Sequence, residues 1–356
     1  VTKPARIAIL GSYPPPYGGT STHVMRLSAM LDERGLDHVI YNAVSSGTNG
    51  RNVVSVARRR MAWMLRYAVA APERVIYVCS ARLEVWLLAA TMAMRGKQVI
   101  IRLRNVALPD YLANPRTRAL ASWAMRRATY VVAVSPELAA AARAAGVPEE
   151  RIIHQPGFLP PACHAPGEDG LSPSQRDFLS GRHPVLAANG KVDVYAGVDL
   201  YGFDHLVELV GRLRPSYPAI GLVVAFWDHL PKDEPRLAAL HARAAELGVS
   251  DSILWHTESW PFVPVLAHAH LFLRPTVTDG DANSVREALF IGVPAIASDA
   301  VARPTGTICV KTRDLEALIA AATATLHTPP PRTPRCEIVD LAKIDVYLNL
   351  FERLAS

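Results

Sequence analysis

The chain is poor in the residues that would mark a metal protein or a disulfide scaffold. Its four cysteines, Cys79, Cys163, Cys309 and Cys336, lie far apart in 356 residues, and none belongs to a CxxC pair. That excludes a paired-thiolate zinc site and a disulfide framework, and predicts reduced thiols. The 12 histidines show no HExxH or other ligand spacing, and His268 and His270 read as structural rather than as ligands. No GxSxG serine-hydrolase pattern occurs. No GxGxxG follows the first strand-like segment, which weighs against a dinucleotide dehydrogenase. Long apolar runs are missing too. The longest, VWLLAATMAM at 85–94, falls far short of the roughly 18–20 residues that cross a bilayer. The opening VTKPARIAIL runs into a strand-like segment with no small-residue cleavage site, so no signal peptide is expected. The expected location is the cytoplasm, or the inner face of the cell membrane as a peripheral protein.

What the chain does have is material for cores. Half of its residues are hydrophobic and 20% are charged, which excludes a mostly disordered chain. Its length predicts two domains. Lys and Arg number 38 against 32 Asp and Glu, a formal charge of +6. That moderate excess suits an anionic small ligand or an acidic membrane surface, and no nucleic-acid partner is expected.

Short apolar runs alternate with helix-patterned stretches. Strands are expected at 6–10, 38–41, 75–78, 99–103 and 130–134, with helices such as 21–34 and 119–127 between them. Residues 155–184 carry six prolines and four glycines, as a linker would, with a short helix near 173–179. Alternation resumes with strands at 185–188, 221–225, 252–255, 270–273 and 295–298, and helices near 203–213, 235–247 and 285–291. Four prolines break the pattern at 328–334, and 341–354 is an amphipathic helix. Repeated β-then-α order predicts α/β domains with parallel sheets, and a cleft between two such domains is the default ligand site.

Two loops stand out. Gly18-Gly19, in GSYPPPYGGTSTHVMRL, follows the first strand and opens the first helix. Glycines let backbone approach a ligand, and free helix-start amides attract an anion such as a diphosphate. An ordinary strand-to-helix loop needing flexible residues fits equally well. The second is PTVTDGDANSVREA, 275–288, between an apolar strand and a helix. Gly280 permits a tight turn, and Asn283 or Ser284 can cap the helix. Asp279 and Glu287 enclose seven residues, and carboxylates bind sugar hydroxyls well. Ser284-x-x-Glu287 is also a capping box, with the glutamate bonded back to the cap. Asp279-Gly280-Asp281 mimics a metal-binding DxD, but so short a pattern beside an anion-attracting helix start points away from metal.

Together these regions resemble the retaining glycosyltransferases of family 4, which have the GT-B fold. The likeness runs through YPPPYGGTSTHVMRLSAMLDERGL, ATYVVAVSPELAAAARAAGVPEERIIHQPGF and HAHLFLRPTVTDGDANSVREALFIGVPAIASD. It implies two Rossmann-like, doubly wound parallel-sheet domains facing a central cleft. The expected division is an acceptor domain at 1–158, a linker at 159–184, a nucleotide-sugar donor domain at 185–335, and a terminal helix at 336–356 crossing back to the first domain. By the resemblance, Glu287 binds the donor ribose and Asp279 lies near the donor sugar. Gly280, Asn283, Ser284 and Val285 belong to the loop whose amides meet phosphate or sugar. Gly18 and Gly19 close on the diphosphate. No metal or other cofactor is implied.

Three positions depart from the family pattern. Asp279 is one methylene shorter than the usual glutamate. Tyr201-Gly202 replaces a Lys-Gly pair whose lysine meets the donor phosphate, leaving Lys191 or Arg303 to supply the charge. Arg102 and Arg104, in IIRLRN, stand where many members place a histidine. Arg104 suits an electrostatic role and is a poor proton acceptor.

Residues 57–68, ARRRMAWMLRYA, mix Arg58, Arg59, Arg60 and Arg66 with Trp63 and other apolar residues. Such a helix can lie on an anionic membrane with Trp63 at the interface. The favoured alternative is a helix that buries its apolar face in the core of the first domain and leaves its arginines in solvent. The expectation is glycosyl transfer from a nucleotide sugar to a hydroxyl of a saccharide or lipid-linked saccharide, as in polysaccharide biosynthesis. A non-catalytic donor-binding subunit, and a sugar epimerase or phosphorylase on the same architecture, are the alternatives.

Overall fold

The computed structural model describes residues 6–43, 52–155, 157–161, 170–226, 229–279, 283–333 and 341–356. The chain divides into two compact units, Val1–Leu159 with Asp340–Ser356, and Pro160–Val339.

The first unit is built on seven parallel strands: β1 (Ile7–Gly11), β2 (His38–Asn42), β3 (Val53–Ser55), β4 (Val75–Cys79), β5 (Gln98–Leu103), β6 (Tyr130–Ala133) and β7 (Ile152–His154). Their order is β3-β2-β1-β4-β5-β6-β7. Every residue of β1 and β4 is buried, as continuous apolar strands covered on both faces must be. The chain runs outward from β1 to β3, then returns to β4 beside β1. The crevice at the carboxyl ends of β1 and β4 is therefore this unit's switch point. The terminal helix Leu341–Ala355 belongs to this unit. Tyr347 and Phe351 pack their rings on Tyr77 of β4 at 6.3 and 5.5 Å. Arg34 holds Asp345 and Glu352 at 2.6 and 2.8 Å.

The second unit has strands β8 (Val185–Gly190), β11 (Gly221–Phe226), β12 (Ile253–His256), β13 (Leu271–Arg274), β14 (Ala295–Ser298) and β15 (Ile308–Val310), in the order β12-β11-β8-β13-β14-β15. All their pairings are parallel, and the switch point lies between β8 and β13. A separate hairpin joins β9 (Val194–Tyr195) to β10 (Val198–Asp199). Its two loop residues, Ala196 and Gly197, have φ of 50° and 83°, the left-handed pair that matches hairpin twist. Residues 170–179 also belong to the second unit. Ser172 and Gln175 exchange caps at the start of the helix Pro173–Leu179. Phe178 and Leu179 pack on the core with Leu171.

The helix Phe203–Leu213 buries Phe203, Leu206, Val207, Val210 and Leu213 along one stripe. It starts after Gly202, where glycine is required twice over. Its φ is +69°, and a Cβ would stand 2.5 Å from the Pro275 carbonyl oxygen.

The terminal helix should contribute strongly to the first unit. Phe351→Ala is expected to cost about 3–5 kcal/mol, the scale for deleting a buried aromatic ring. Urea unfolding followed by circular dichroism reads the change, and an unaltered midpoint would contradict the packing of Phe351 on Tyr77.

Candidate functional site

At the switch point of the second unit, β8 and β13 end side by side. The Arg274 guanidinium donates from Nη1 to Asn189 O and Oδ1, at 2.8 and 3.2 Å. Its other edge forks onto Asp279, Nε to Oδ2 at 3.0 Å and Nη2 to Oδ1 at 3.1 Å. Arg303 donates to the same Oδ2 at 3.0 Å, to Thr276 Oγ1 and Ser298 Oγ at 3.1 Å each, and to the Ser298 carbonyl at 2.8 Å. The three charged side chains are only 7%, 2% and 9% exposed for Arg274, Arg303 and Asp279. Burial works to raise the Asp279 carboxyl, but the two guanidinia outweigh it and hold it below the usual carboxylate range. Two cations on one anion leave this cluster with a formal charge of +1.

Tyr201 closes one side. Its ring stacks on Phe203 at 5.7 Å and lies under the Arg274 guanidinium at 4.8 Å, a cation–π arrangement. The turn is fixed by buried Asp199, whose Oδ1 accepts from the Tyr201 and Gly202 amides at 3.0 and 3.1 Å. The Val277 amide donates to the Leu200 carbonyl at 2.9 Å, tying this turn to the loop after β13. Burial raises the Tyr201 hydroxyl, which also feels Arg274, Asp279, Lys191 and Asp193. The structure thus groups Lys191, Tyr201, Arg274 and Asp279. Lys191 pairs with Asp193 at 2.7 Å and, with Lys232 and Arg236, lines a cavity of about 400 Å³. Arg303, expected as an alternative source of charge for a phosphate, is buried on Asp279, Thr276 and Ser298 within this cluster.

The helix Asn283–Phe290 follows. Asn283 and Ser284 lie inside its first turn rather than ahead of it, so neither is the cap expected. Glu287 does not hold the third helical position that a capping box with Ser284 requires. Glu287 is buried at 6% exposure, and Val285 is buried in the core, leaving only the Val285 backbone for a ligand. Gly280 and Asp281 lie outside the described residues. Among the described residues, no group of three or more His, Cys, Asp or Glu side chains is placed to hold a metal ion.

In the first unit the helix Gly19–Glu33 starts at the switch point. The Gly18 amide donates to Ser21 Oγ at 3.0 Å, and that hydroxyl donates to the Pro16 and Gly18 carbonyls. Gly18 has an ordinary φ of −90°. A Cβ at Gly18 or Gly19 would meet no described atom within 4 Å. Neither backbone strain nor crowding explains these glycines, and the space before them is open. Arg102, at the end of β5, is buried and donates to the Gly157 carbonyl at 3.1 Å. Arg104 is exposed and lines a separate cavity of about 430 Å³.

Arg60–Ala70 is a helix, but Trp63 does not face outward as the interfacial reading expected. Its ring stacks on Tyr67 at 4.7 Å and leans on Tyr41 at 4.9 Å. Met61, Leu65 and Val69 are the helix's exposed large apolar residues, at 61%, 69% and 70%.

The fold is GT-B, with a seven-stranded and a six-stranded parallel sheet in its two α/β units. No protein-family model matches the sequence, and no curated protein matches it. Solved structures do. HepE of Anabaena in complex with UDP is 13% identical, with a TM-score of 0.63 over 99% of both chains. Sucrose-phosphate synthase from Thermosynechococcus elongatus is 15% identical, with a TM-score of 0.63 over 98% of this chain and 100% of that one. WaaG, a glycosyltransferase involved in lipopolysaccharide biosynthesis, is 18% identical, with a TM-score of 0.58 over 98% of each chain.

Asp279→Asn would leave two buried guanidinia without their anion, and is expected to destabilise the protein by about 3–5 kcal/mol at neutral pH. The folded carboxyl titrates below its unfolded value of about 3.9. Its contribution is therefore complete above about pH 4 and is lost only as pH falls through the lower folded value. Denaturation of wild type and variant across pH should show a constant gap down to about pH 4. A gap that closes well above that point would contradict the ion pairing.

Proposed function

We propose that the protein is a metal-independent, retaining glycosyltransferase of family 4 type, moving a sugar from a nucleoside diphosphate donor, UDP-linked as in HepE, to a hydroxyl acceptor. The observation that carries this reading is the buried +1 cluster of Arg274, Arg303 and Asp279 at the switch point of the second unit, beside a helix start. A leaving diphosphate accumulates negative charge as the anomeric C–O bond breaks. Fixed cations and backbone amides stabilise that charge without reorganising. In this reading the acceptor oxygen bonds to the anomeric carbon on the face the diphosphate vacates, and its proton passes to a diphosphate oxygen.

Each residue then has a role. Arg274 restores the charge missing at Tyr201, because its guanidinium lies over that ring. This compensation favours an enzyme over a donor-binding subunit without turnover. Asp279 has both oxygens occupied by arginines, so it acts as a positioning residue for Arg274 and Arg303. The amides of Asn283, Ser284 and Val285 face phosphate or sugar. Glu287 accepts the ribose hydroxyls. Gly18 and Gly19 offer an open backbone to the diphosphate, and Lys191 adds positive potential. Arg104 acts electrostatically on the acceptor side.

Calorimetric titration with UDP tests the donor site. Glu287→Gln should weaken UDP by about 1–3 kcal/mol, the scale for losing a charged hydrogen-bond partner, and EDTA should change neither UDP binding nor turnover of a donor. Unchanged affinity in the variant, or loss on chelation with rescue by Mg²⁺, would overturn this assignment.

The reading extends to peripheral membrane association. Among the described residues no helix is long and apolar enough to cross a membrane. Met61, Leu65 and Val69 form an exposed stripe at helical spacing, next to exposed Arg58, Arg59 and Arg66 along a shallow depression of about 670 Å³. Exposed apolar residues on a helix that also exposes arginines suit an anionic bilayer, each cation contributing about 1 kcal/mol at low salt. The protein should sediment with phosphatidylserine vesicles at low salt and be released at high salt. Replacing Arg58, Arg59 and Arg66 with Gln should abolish sedimentation and leave UDP binding intact. A wild type that ignores such vesicles at low salt would show that this face is merely solvated.

A further inference from the structure

The cavity of about 430 Å³ in the first unit lies at the carboxyl ends of β1 and β4. One wall is apolar and aromatic. Trp63 and Tyr41 meet at 4.9 Å and, with Met64 and Val85, line it. The Tyr41 hydroxyl is already committed, donating to buried Glu73 at 2.8 Å, as does that of Tyr67 at 2.9 Å. Tyr41 therefore offers the cavity its ring rather than its hydroxyl.

The other wall is cationic. Arg60, Arg82 and Arg104 line the cavity, and among the described residues no carboxylate does. The nearest acid, Glu84, stands 3.7 Å from Arg60 and 3.3 Å from Arg82, so one anion serves two of three cations. Arg60 Nε is buried without a hydrogen-bond partner among the described residues. A buried donor without an acceptor is costly, and the guanidinium's ion pair with Glu84 is long at 3.7 Å. Arg104 makes no hydrogen bond or ion pair among the described residues. Buried Arg102 adds a further positive charge at the end of β5.

We propose that this cavity binds an anionic saccharide, with the apolar face of a pyranose against Trp63 and Tyr41 and a carboxylate or phosphate on Arg60 and Arg104. Ring C–H faces pack on aromatic planes, while guanidinia take oxyanions through paired donors. Neither wall alone defines the ligand: an apolar molecule would leave the arginines unanswered, and a bare anion would leave the aromatic wall bare. That this saccharide is the acceptor rests on the glycosyl-transfer reading above. That the cavity binds it does not.

The test is calorimetric titration of the full chain with glucose 6-phosphate, glucuronate, glucose and inorganic phosphate. At least one of the two charged sugars should bind, and whichever does so identifies the anion. It should bind more tightly than both glucose and inorganic phosphate. Arg60→Gln and Arg104→Gln should each weaken it about tenfold or more, the loss of one charge-assisted contact. Trp63→Leu should weaken it as well, while UDP affinity in Arg60→Gln, measured as a folding control, stays at the wild-type value. Glucose or phosphate binding as tightly as the charged sugar, no binding by either charged sugar, or arginine variants that bind as wild type would each overturn the proposal. If a charged sugar binds here but UDP binds nowhere, the cavity assignment stands and the transferase reading fails.

Discussion

The contact that organises the switch point of the second unit is Asp279 held between Arg274 and Arg303. An isolated guanidinium taken out of water is costly, and a buried pair of them more so. Asp279 makes both tolerable, and in doing so it fixes their directions. Arg274 reaches back to Asn189 at the end of β8, while Arg303 reaches Ser298 at the end of β14. One carboxylate thus joins three strand ends of the sheet, and the three side chains together carry a formal charge of +1. A buried excess charge is a standing attraction for an anion.

The same constraint accounts for the departures in this region. A tyrosine where a lysine would be expected removes a cation, but the Arg274 guanidinium lies over its ring. Asp279 is shorter than a glutamate, and its short side chain suits a close fork from Arg274 five residues away. Tyr201 and Asp279 thus meet through one side chain, Arg274, which lies over the ring of the first and forks onto the carboxylate of the second. Gly202 completes the arrangement, because any side chain there would strike Pro275.

Much of the architecture was legible in the sequence because it rests on local pattern. Runs such as IAIL and VIYVC are too short and too apolar for anything but buried strands, and their alternation with helices gives the parallel sheets. The position of the segment 275–288 was legible for the same reason, since it leads from the apolar strand Leu271–Arg274 into the helix Asn283–Phe290. The partnerships were not. Arg303 meets Asp279 across 24 residues, and Arg274 meets Asn189 across 85. An arginine closing the apolar run LFLR was the available signal, and it carries little information without the sheet order. The sequence left two readings open for Trp63 because Arg60–Ala70 has two apolar stripes. Composition cannot tell which stripe packs on Tyr41 and Tyr67 and which stays exposed. The β9–β10 hairpin escaped because each strand has only two residues.

The central claim is that the excess charge at the end of β13 receives the diphosphate of a nucleotide sugar. A crystal structure of the protein with UDP tests it most directly. The account predicts the diphosphate at the start of the helix Asn283–Phe290, facing Arg274, with the ribose hydroxyls on Glu287. UDP bound elsewhere, or bound there with its ribose away from Glu287 and its phosphates away from Arg274, would contradict it.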